Sequence, residues 1–105
     1  MHKLIEERRE EIAEICRDHG VRRLEVFGSA ARGTDFNPVS SDVDFLVTFE
    51  TADGEPRLTR YFSLAEALEA LLGQHVDLLE KGALENSPNH IRRRSVLADA
   101  QIVHG

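Results

Sequence analysis

Two aspartates, two positions apart, begin an apolar stretch of the chain. Asp42 and Asp44 start the run DVDFLVTF, which we predict to form a strand over residues 42–49. Side chains two apart on a strand point to the same face, so the carboxylates are expected about 7 Å apart. Their repulsion is on the order of 2 kcal/mol, and aspartate is a poor strand former. The pair therefore favours a site for a cation such as Mg²⁺; a solvated strand entrance is the alternative interpretation.

A third aspartate interrupts another apolar run. Asp77 lies within HVDLLE, which predicts a strand over residues 75–80. An unpaired charge in the middle of a strand is costly to bury, so Asp77 requires a partner or an exposed face. A cation site, an ion pair with an arginine and a solvated face are all consistent with this pattern.

A Gly-Ser pair stands between two predicted elements. Gly28 and Ser29 follow a predicted strand over residues 22–27 and precede a short helical turn over residues 29–33. Glycine lets the backbone approach a phosphate closely, and the amides and hydroxyl that follow can donate hydrogen bonds to it. Taken alone, the same pair is also typical of a turn that merely caps a helix.

The remaining elements form one α/β pattern around these residues. Apolar periodicity predicts an amphipathic helix over residues 3–19 that buries Cys16, and the strand over residues 42–49 is apolar enough to lie inside the sheet. Ser63 and Glu66 fit a capping box at, or inside, the start of a helix that ends near Leu72. A helix from Ser87-Pro88 to about residue 98 and a strand near residues 101–103 complete the order α-β-α-β-α-β-α-β, a single domain over residues 1–105.

Composition limits the classes of function. The chain has 105 residues and a formal net charge of −6, which argues against broad binding to nucleic acid. One cysteine, the absence of an apolar leader and the absence of a membrane-length apolar run lead us to expect a cytoplasmic protein with no membrane partner. The five histidines show no metal-ligand spacing, which argues against a zinc site. The run of arginines at residues 92–94 is interpreted as a solvated cluster, with contact to a partner or a phosphate as the alternative.

The combined motif resembles a known superfamily. Gly-Ser, twelve intervening residues, Asp-x-Asp at the head of an apolar strand and a lone aspartate on a later strand are similar to the polymerase-β-type nucleotidyltransferases. The strings GSAARG and SSDVDFLV resemble especially the minimal nucleotidyltransferases, antitoxins that are often paired with HEPN-domain toxins. The resemblance implies a small mixed β-sheet with helices packed against it, two Mg²⁺ ions and a nucleoside triphosphate substrate.

The resemblance also implies roles for individual residues. Gly28 and Ser29 would hold the triphosphate, with Arg32 near the phosphates; by itself Arg32 is equally consistent with a surface salt bridge. Asp42, Asp44 and Asp77 would be the catalytic metal ligands. Asp77 would also assist deprotonation of the acceptor hydroxyl. The polar segment TDFNPVSS between the two halves of the motif could reshape the phosphate site.

The expected activity is transfer of AMP from ATP to a hydroxyl, a tyrosine in our prediction, of a cognate HEPN toxin. This modification would make the chain an antitoxin, without direct contact to nucleic acid. Two alternatives stay open: an antitoxin that neutralises the toxin by binding alone, and a small-molecule nucleotidyltransferase that needs a second chain. Homo-oligomers and a hetero-oligomer with the toxin are both compatible with the sequence.

Overall fold

The fold consists of short helices around a small sheet. The computed structural model describes residues 1–33, 37, 42–50 and 57–105. Within this part of the chain the helices are α1 (Lys3–Glu6), α2 (Arg9–Asp18), α3 (Ser29–Arg32), α4 (Arg57–Leu72), α5 (Lys81–Glu85) and α6 (His90–Asp99). The strands are β1 (Val21–Phe27), β2 (Val43–Phe49), β3 (Val76–Glu80) and β4 (Gln101–His104).

The sheet is mixed, and its strand order is β3-β2-β1-β4. Strand β1 is antiparallel to both β2 and β4, whereas β2 and β3 run parallel. The parallel pair is joined through α4, as parallel strands require a crossover connection. The predicted fold class, a small mixed sheet with helices packed against it, is confirmed. The position of β2 inside the sheet also agrees with its apolar sequence.

Each face of the sheet carries its own apolar cluster. One face packs against α2 and α4, and its fully buried members include Ile5, Ile12, Cys16, Leu24, Val26, Val43, Phe45, Val47, Leu64 and Leu68. Burial raises the pKa of the Cys16 thiol to about 12, which is consistent with a structural role for this cysteine. The other face holds a smaller cluster of Leu46, Leu84 and Val96, to which α5 and α6 contribute.

The smaller cluster leaves one end of its face to polar residues. Alternation along β2 places Asp44 on the same face as Leu46, and alternation along β3 places Asp77 on the same face as Leu79. Both aspartates precede their apolar neighbours along the parallel strands, so they meet at the same end of the sheet. The fold thus separates a packed half of this face from a half that carries carboxylates.

Three features of the predicted helices differ from the structure. The predicted helix over residues 3–19 is interrupted near Arg8, whose backbone leaves helical geometry, and Arg9 at the start of α2 donates to the carbonyls of Ile102 and Val103. Helix α4 begins at Arg57, so Ser63 lies inside it, which the prediction allowed, but it does not cap the helix. The side chain of Asn89, rather than that of Ser87, caps α6 by accepting from the backbone of residue 92.

Helix α5 was not predicted from the sequence. Its five residues include Gly82, a poor helix former, and bury only Leu84. Such a short segment has too few apolar residues to show a helical period. In the part of the chain that the structure describes, no helix is both long enough and apolar enough to cross a membrane.

Candidate active site

Strand register brings the sequence motifs together. Asp44 pairs with Asp77 across the parallel strands β2 and β3, and with Phe27 across the antiparallel strands β1 and β2. The Gly28-Ser29 turn follows Phe27 directly. The end of β1 and the beginnings of β2 and β3 therefore converge on one point, where a glycine turn faces carboxylates.

Gly28 is required at this point for two separate reasons. Its φ is +71°, a region that residues with a Cβ rarely adopt. A Cβ at this position would lie 2.7 Å from Oδ2 of Asp44, well inside van der Waals contact. The carbonyl of Gly28 accepts from the amides of Ala31 and Arg32, which forms the short helix α3. The turn is therefore packed directly against the Asp44 carboxylate.

The carboxylates repel one another in the absence of a cation. The pKa of the half-buried Asp44 is raised from 3.8 to about 6, first by burial and then by the charges of Asp77 and Asp42. Arg92 and Arg32 act in the opposite direction. An ionised Asp44 is thus held in an unfavourable environment that a bound cation would relieve.

His75 lies among the same carboxylates. Its Nδ1 is 3.4 Å from Oδ1 of Asp42 and 3.9 Å from Oδ1 of Asp77. Donor atoms of these three side chains all lie within 4.8 Å of one another. Carboxylate oxygens and imidazole nitrogen are both common ligands of divalent cations. The donors present therefore fit the divalent metal that the sequence motif implies.

A cavity adjoins the carboxylates. It has a volume of about 470 Å³ and is lined by Phe27, Asp44, Asp77, Leu78, Leu79 and Arg92. This volume is in the range typical of small-molecule sites. The lining combines apolar side chains with two acids and one guanidinium. Such a lining suits a ligand that has a flat apolar part and an anionic part that is bridged to the acids by cations.

The structure places the six predicted site residues as follows. Asp42, Asp44 and Asp77 share one end of the sheet, with Gly28 against Asp44 and Ser29 as the first residue of α3. Arg32 forms a salt bridge of 2.5 Å with Asp99 at the end of α6, which was one of the two roles predicted for this arginine. The charge of Arg32 also lowers the pKa of Asp44. Of the segment TDFNPVSS, only Asn37 lies within the described residues.

His75 was not predicted to belong to this site, and Arg92 was predicted only as an alternative. The five histidines show no metal-ligand spacing when they are compared with one another. However, His75 precedes Asp77 by two positions, which is the same spacing that identified Asp42 and Asp44. A solvated cluster was the preferred interpretation of Arg92, with phosphate contact as the alternative; the side chain lines the cavity, and its charge lowers the pKa of Asp44. No local pattern distinguishes Arg92 from its neighbours.

We expect Asp44→Asn to stabilise the metal-free protein in a pH-dependent way. The raised pKa means that the wild type loses stability as pH rises from 3.8 to about 6, whereas the amide does not ionise. The shift sets an upper bound of about 3 kcal/mol, which we reduce to about 1 kcal/mol because the carboxylate is only half-buried. Thermal melts across this pH range with a chelator present would measure the difference. An advantage of the variant that did not grow with pH would contradict this origin of the shift.

Comparisons with known proteins agree with this geometry. A family profile for the nucleotidyltransferase domain matches residues 9–103, and the chain belongs to this family. The protein adenylyltransferase MntA of Thermococcus cleftensis is 48% identical over 67 residues, which cover 64% of this chain and 63% of MntA. The chain thus spans somewhat less than two thirds of that relative.

Solved structures show the same fold. A structure described as a minimal nucleotidyltransferase superposes with a TM-score of 0.71 at 37% identity. The aligned region covers 96% of this chain and 95% of the other chain. A toxin–antitoxin structure with AMP-PNP has a TM-score of 0.64 at 25% identity, over 92% of this chain and 73% of the other. The predicted membership of the minimal nucleotidyltransferases is confirmed.

Proposed function

We propose that residues 1–105 act as one nucleotidyltransferase domain that transfers AMP from ATP to a hydroxyl of a HEPN-domain toxin and thereby neutralises it. The observation that carries this proposal is the contact between the Gly28 turn and Asp44, with Asp42 and Asp77 at the same end of the sheet. The similarity to an adenylyltransferase and to a toxin–antitoxin structure with AMP-PNP supports the choice of nucleotide and partner.

In this proposal the turn and the arginines bind the triphosphate. Gly28 lets the backbone approach the phosphates, and Ser29 offers a hydroxyl beside them. Arg92 and Phe27, the residue before this turn, both line the cavity, and Arg92 is not part of the salt bridge between Arg32 and Asp99. A guanidinium suits this task because its planar array of donors matches phosphate oxygens.

The carboxylates would hold the cations. Asp42, Asp44 and Asp77 would be the ligands of two Mg²⁺ ions, which supply neutralisation of phosphate charge when bound. The raised pKa of Asp44 fits this role, because a carboxylate destabilised by its neighbours gains most from a cation. The family implies this metal, and the donor set of the described residues is compatible with it.

Asp77 is proposed to face the acceptor. It lies on β3, at an edge of the described sheet, and its side chain is 58% exposed. In the transfer, the acceptor oxygen forms a bond to the α-phosphorus, the bond from that phosphorus to the bridging oxygen breaks, and pyrophosphate leaves. A carboxylate oxygen of Asp77 would take the hydroxyl proton. The acceptor can approach this edge without passing through the packed half of the sheet.

The direct test is the intact mass of the partner. A purified HEPN toxin, incubated with this protein, ATP and Mg²⁺, is expected to gain whole AMP units, and a chelator should prevent the gain. Peptide mapping would then show whether the modified hydroxyl belongs to a tyrosine. A toxin that is neutralised yet unmodified would favour an antitoxin that acts by binding alone, and would refute AMP transfer.

We expect Arg92→Ala to weaken ATP binding about tenfold, because a charge-assisted contact to phosphate is worth about 1.5–3 kcal/mol. The helix should be unaffected, since the side chain is exposed and alanine is a good helix former. Arg94→Ala is the matched control, because Arg94 is also exposed on α6 but does not line the cavity. Calorimetric titration with ATP and Mg²⁺ would compare them. Equal affinities would remove Arg92 from the site.

A further inference from the structure

We propose that His75 is a nitrogen ligand of one cation in this site, and that it gives that position a preference for transition ions such as Mn²⁺ over Mg²⁺. The inference rests on the proposed function in taking the carboxylate cluster as the metal site. It goes further because it assigns a ligand that the aspartate motif does not contain.

The separations suit a shared cation. Ligand atoms about 2.1 Å from one ion lie about 3.0 Å apart at a right angle and about 3.4 Å apart at a tetrahedral angle. Nδ1 of His75 is 3.4 Å from Asp42 and 3.9 Å from Asp77, and all three donors lie within 4.8 Å. Adjustments of a few tenths of an ångström to about 1 Å would bring the three donors onto one ion. The exposed side chains permit this, because no core packing holds them.

The backbone of His75 is fixed where the ligand is needed. Its carbonyl oxygen accepts a hydrogen bond of 2.9 Å from the amide of Val43, the residue between Asp42 and Asp44. The parallel pairing of Val43 with Val76 continues this contact into the sheet. His75 is therefore attached to the strand that carries the first two aspartates, and it precedes the third by two residues.

Glu69 lies on the opposite side of the ring. Its Oε2 is 3.9 Å from Nε2 of His75 and also accepts from the amide of Val76 at 3.0 Å. A histidine that binds a metal usually directs its second ring nitrogen toward a carboxylate, which fixes the ring and its tautomer. Glu69 on α4 is placed for that purpose, with Nδ1 directed at the aspartates. The carboxylate of Glu69, the imidazole of His75 and the proposed metal site therefore follow one another in space.

The nitrogen donor determines the preference. Mg²⁺ favours oxygen ligands, whereas first-row transition ions also accept imidazole. Carboxylate oxygens are suitable ligands for Mg²⁺ and Mn²⁺ alike. With His75 as a ligand, we expect Mn²⁺ to bind at least about tenfold more tightly than Mg²⁺.

The test is titration of the full chain with each metal alone, near neutral pH and without nucleotide. His75→Gln keeps side-chain size and an oxygen donor but removes the ring nitrogen. We expect it to weaken Mn²⁺ binding at least about tenfold while Mg²⁺ affinity changes little. His19→Gln is the matched control, because His19 precedes the opposite end of β1. Pulsed electron paramagnetic resonance of bound Mn²⁺ should detect a directly coordinated nitrogen in the wild type and the control only.

Two outcomes would overturn the assignment: equal Mn²⁺ affinity of the wild type and His75→Gln, or a Mn²⁺ spectrum without coordinated nitrogen. Both readouts are independent of catalysis. A failure to transfer AMP would therefore count against the proposed function, whereas the affinity and the spectrum alone would decide whether His75 is a ligand.

Discussion

AMP transfer is expected to fall at least about 1,000-fold when Asp42 and Asp44 are both replaced by asparagine. The two carboxylates lie at the head of β2, one of them against the Gly28 turn. The asparagine side chains would retain the shape of the site, but they lack the negative charge that holds the cations. The rate is measured by the mass gain of the partner under single-turnover conditions, and ATP binding is measured separately by calorimetry.

The control for this variant is Asp18→Asn. Asp18 is exposed at the end of α2, so its removal changes net charge without touching the carboxylate cluster. The double variant should also melt no lower than the wild type in a chelator, because it removes the repulsion that raises the pKa of Asp44. A stable double variant that still transferred AMP at the wild-type rate would contradict the metal-ligand roles.

Gly28→Ala is expected to reduce AMP transfer at least about 100-fold, because a displacement of about 1 Å in a catalytic group can cost that much. The new Cβ would lie 2.7 Å from Oδ2 of Asp44, so the turn or the carboxylate must move. The positive φ adds a backbone cost of about 1–2 kcal/mol. Both ATP affinity in Mg²⁺ and the melting temperature should fall.

Gly73→Ala separates these two effects. Gly73 has a φ of +67°, close to that of Gly28, but a Cβ there would meet no atom within 4 Å. This variant should therefore show the backbone cost in its melting curve and normal AMP transfer. If the two alanine variants lost activity equally, general destabilisation would explain Gly28→Ala, and the contact with Asp44 would have no special importance.

Local patterns predicted the parts of the site that follow from strand periodicity. Alternation of side chains predicted that Asp42 and Asp44 lie close together, and the charge of Asp42 does act on Asp44, although β2 begins only at Val43. The apolar run after them predicted the position of β2 inside the sheet. Gly28 was identified as a turn residue from its position between a strand and a helical turn. These features depend on residues within a few positions of one another, so a single sequence contains the necessary information.

The features that were not predicted, or were predicted only as an alternative, depend on pairing between residues that are far apart in sequence. His75 reaches Asp42 only because β3 pairs parallel to β2, and Arg92 reaches Asp44 only because α6 packs on the same face. Likewise, the interruption near Arg8 accompanies contacts of Arg9 with β4, ninety or more positions further along the chain. The local propensity of a segment does not depend on such contacts, and tertiary packing overrides that propensity at these residues.

The parallel pairing of Asp44 with Asp77 has a consequence for how such a chain can change over evolutionary time. The connection between the two strands passes through α4, outside the sheet, so insertions and deletions in the segments that flank this helix need not alter the pairing. One residue inserted inside β3 before Asp77 would instead turn the carboxylate toward the face that α4 covers. We therefore expect lineages of this fold to differ freely in the number of residues separating the second and third aspartates, while the strands themselves accept substitutions but almost no changes of length.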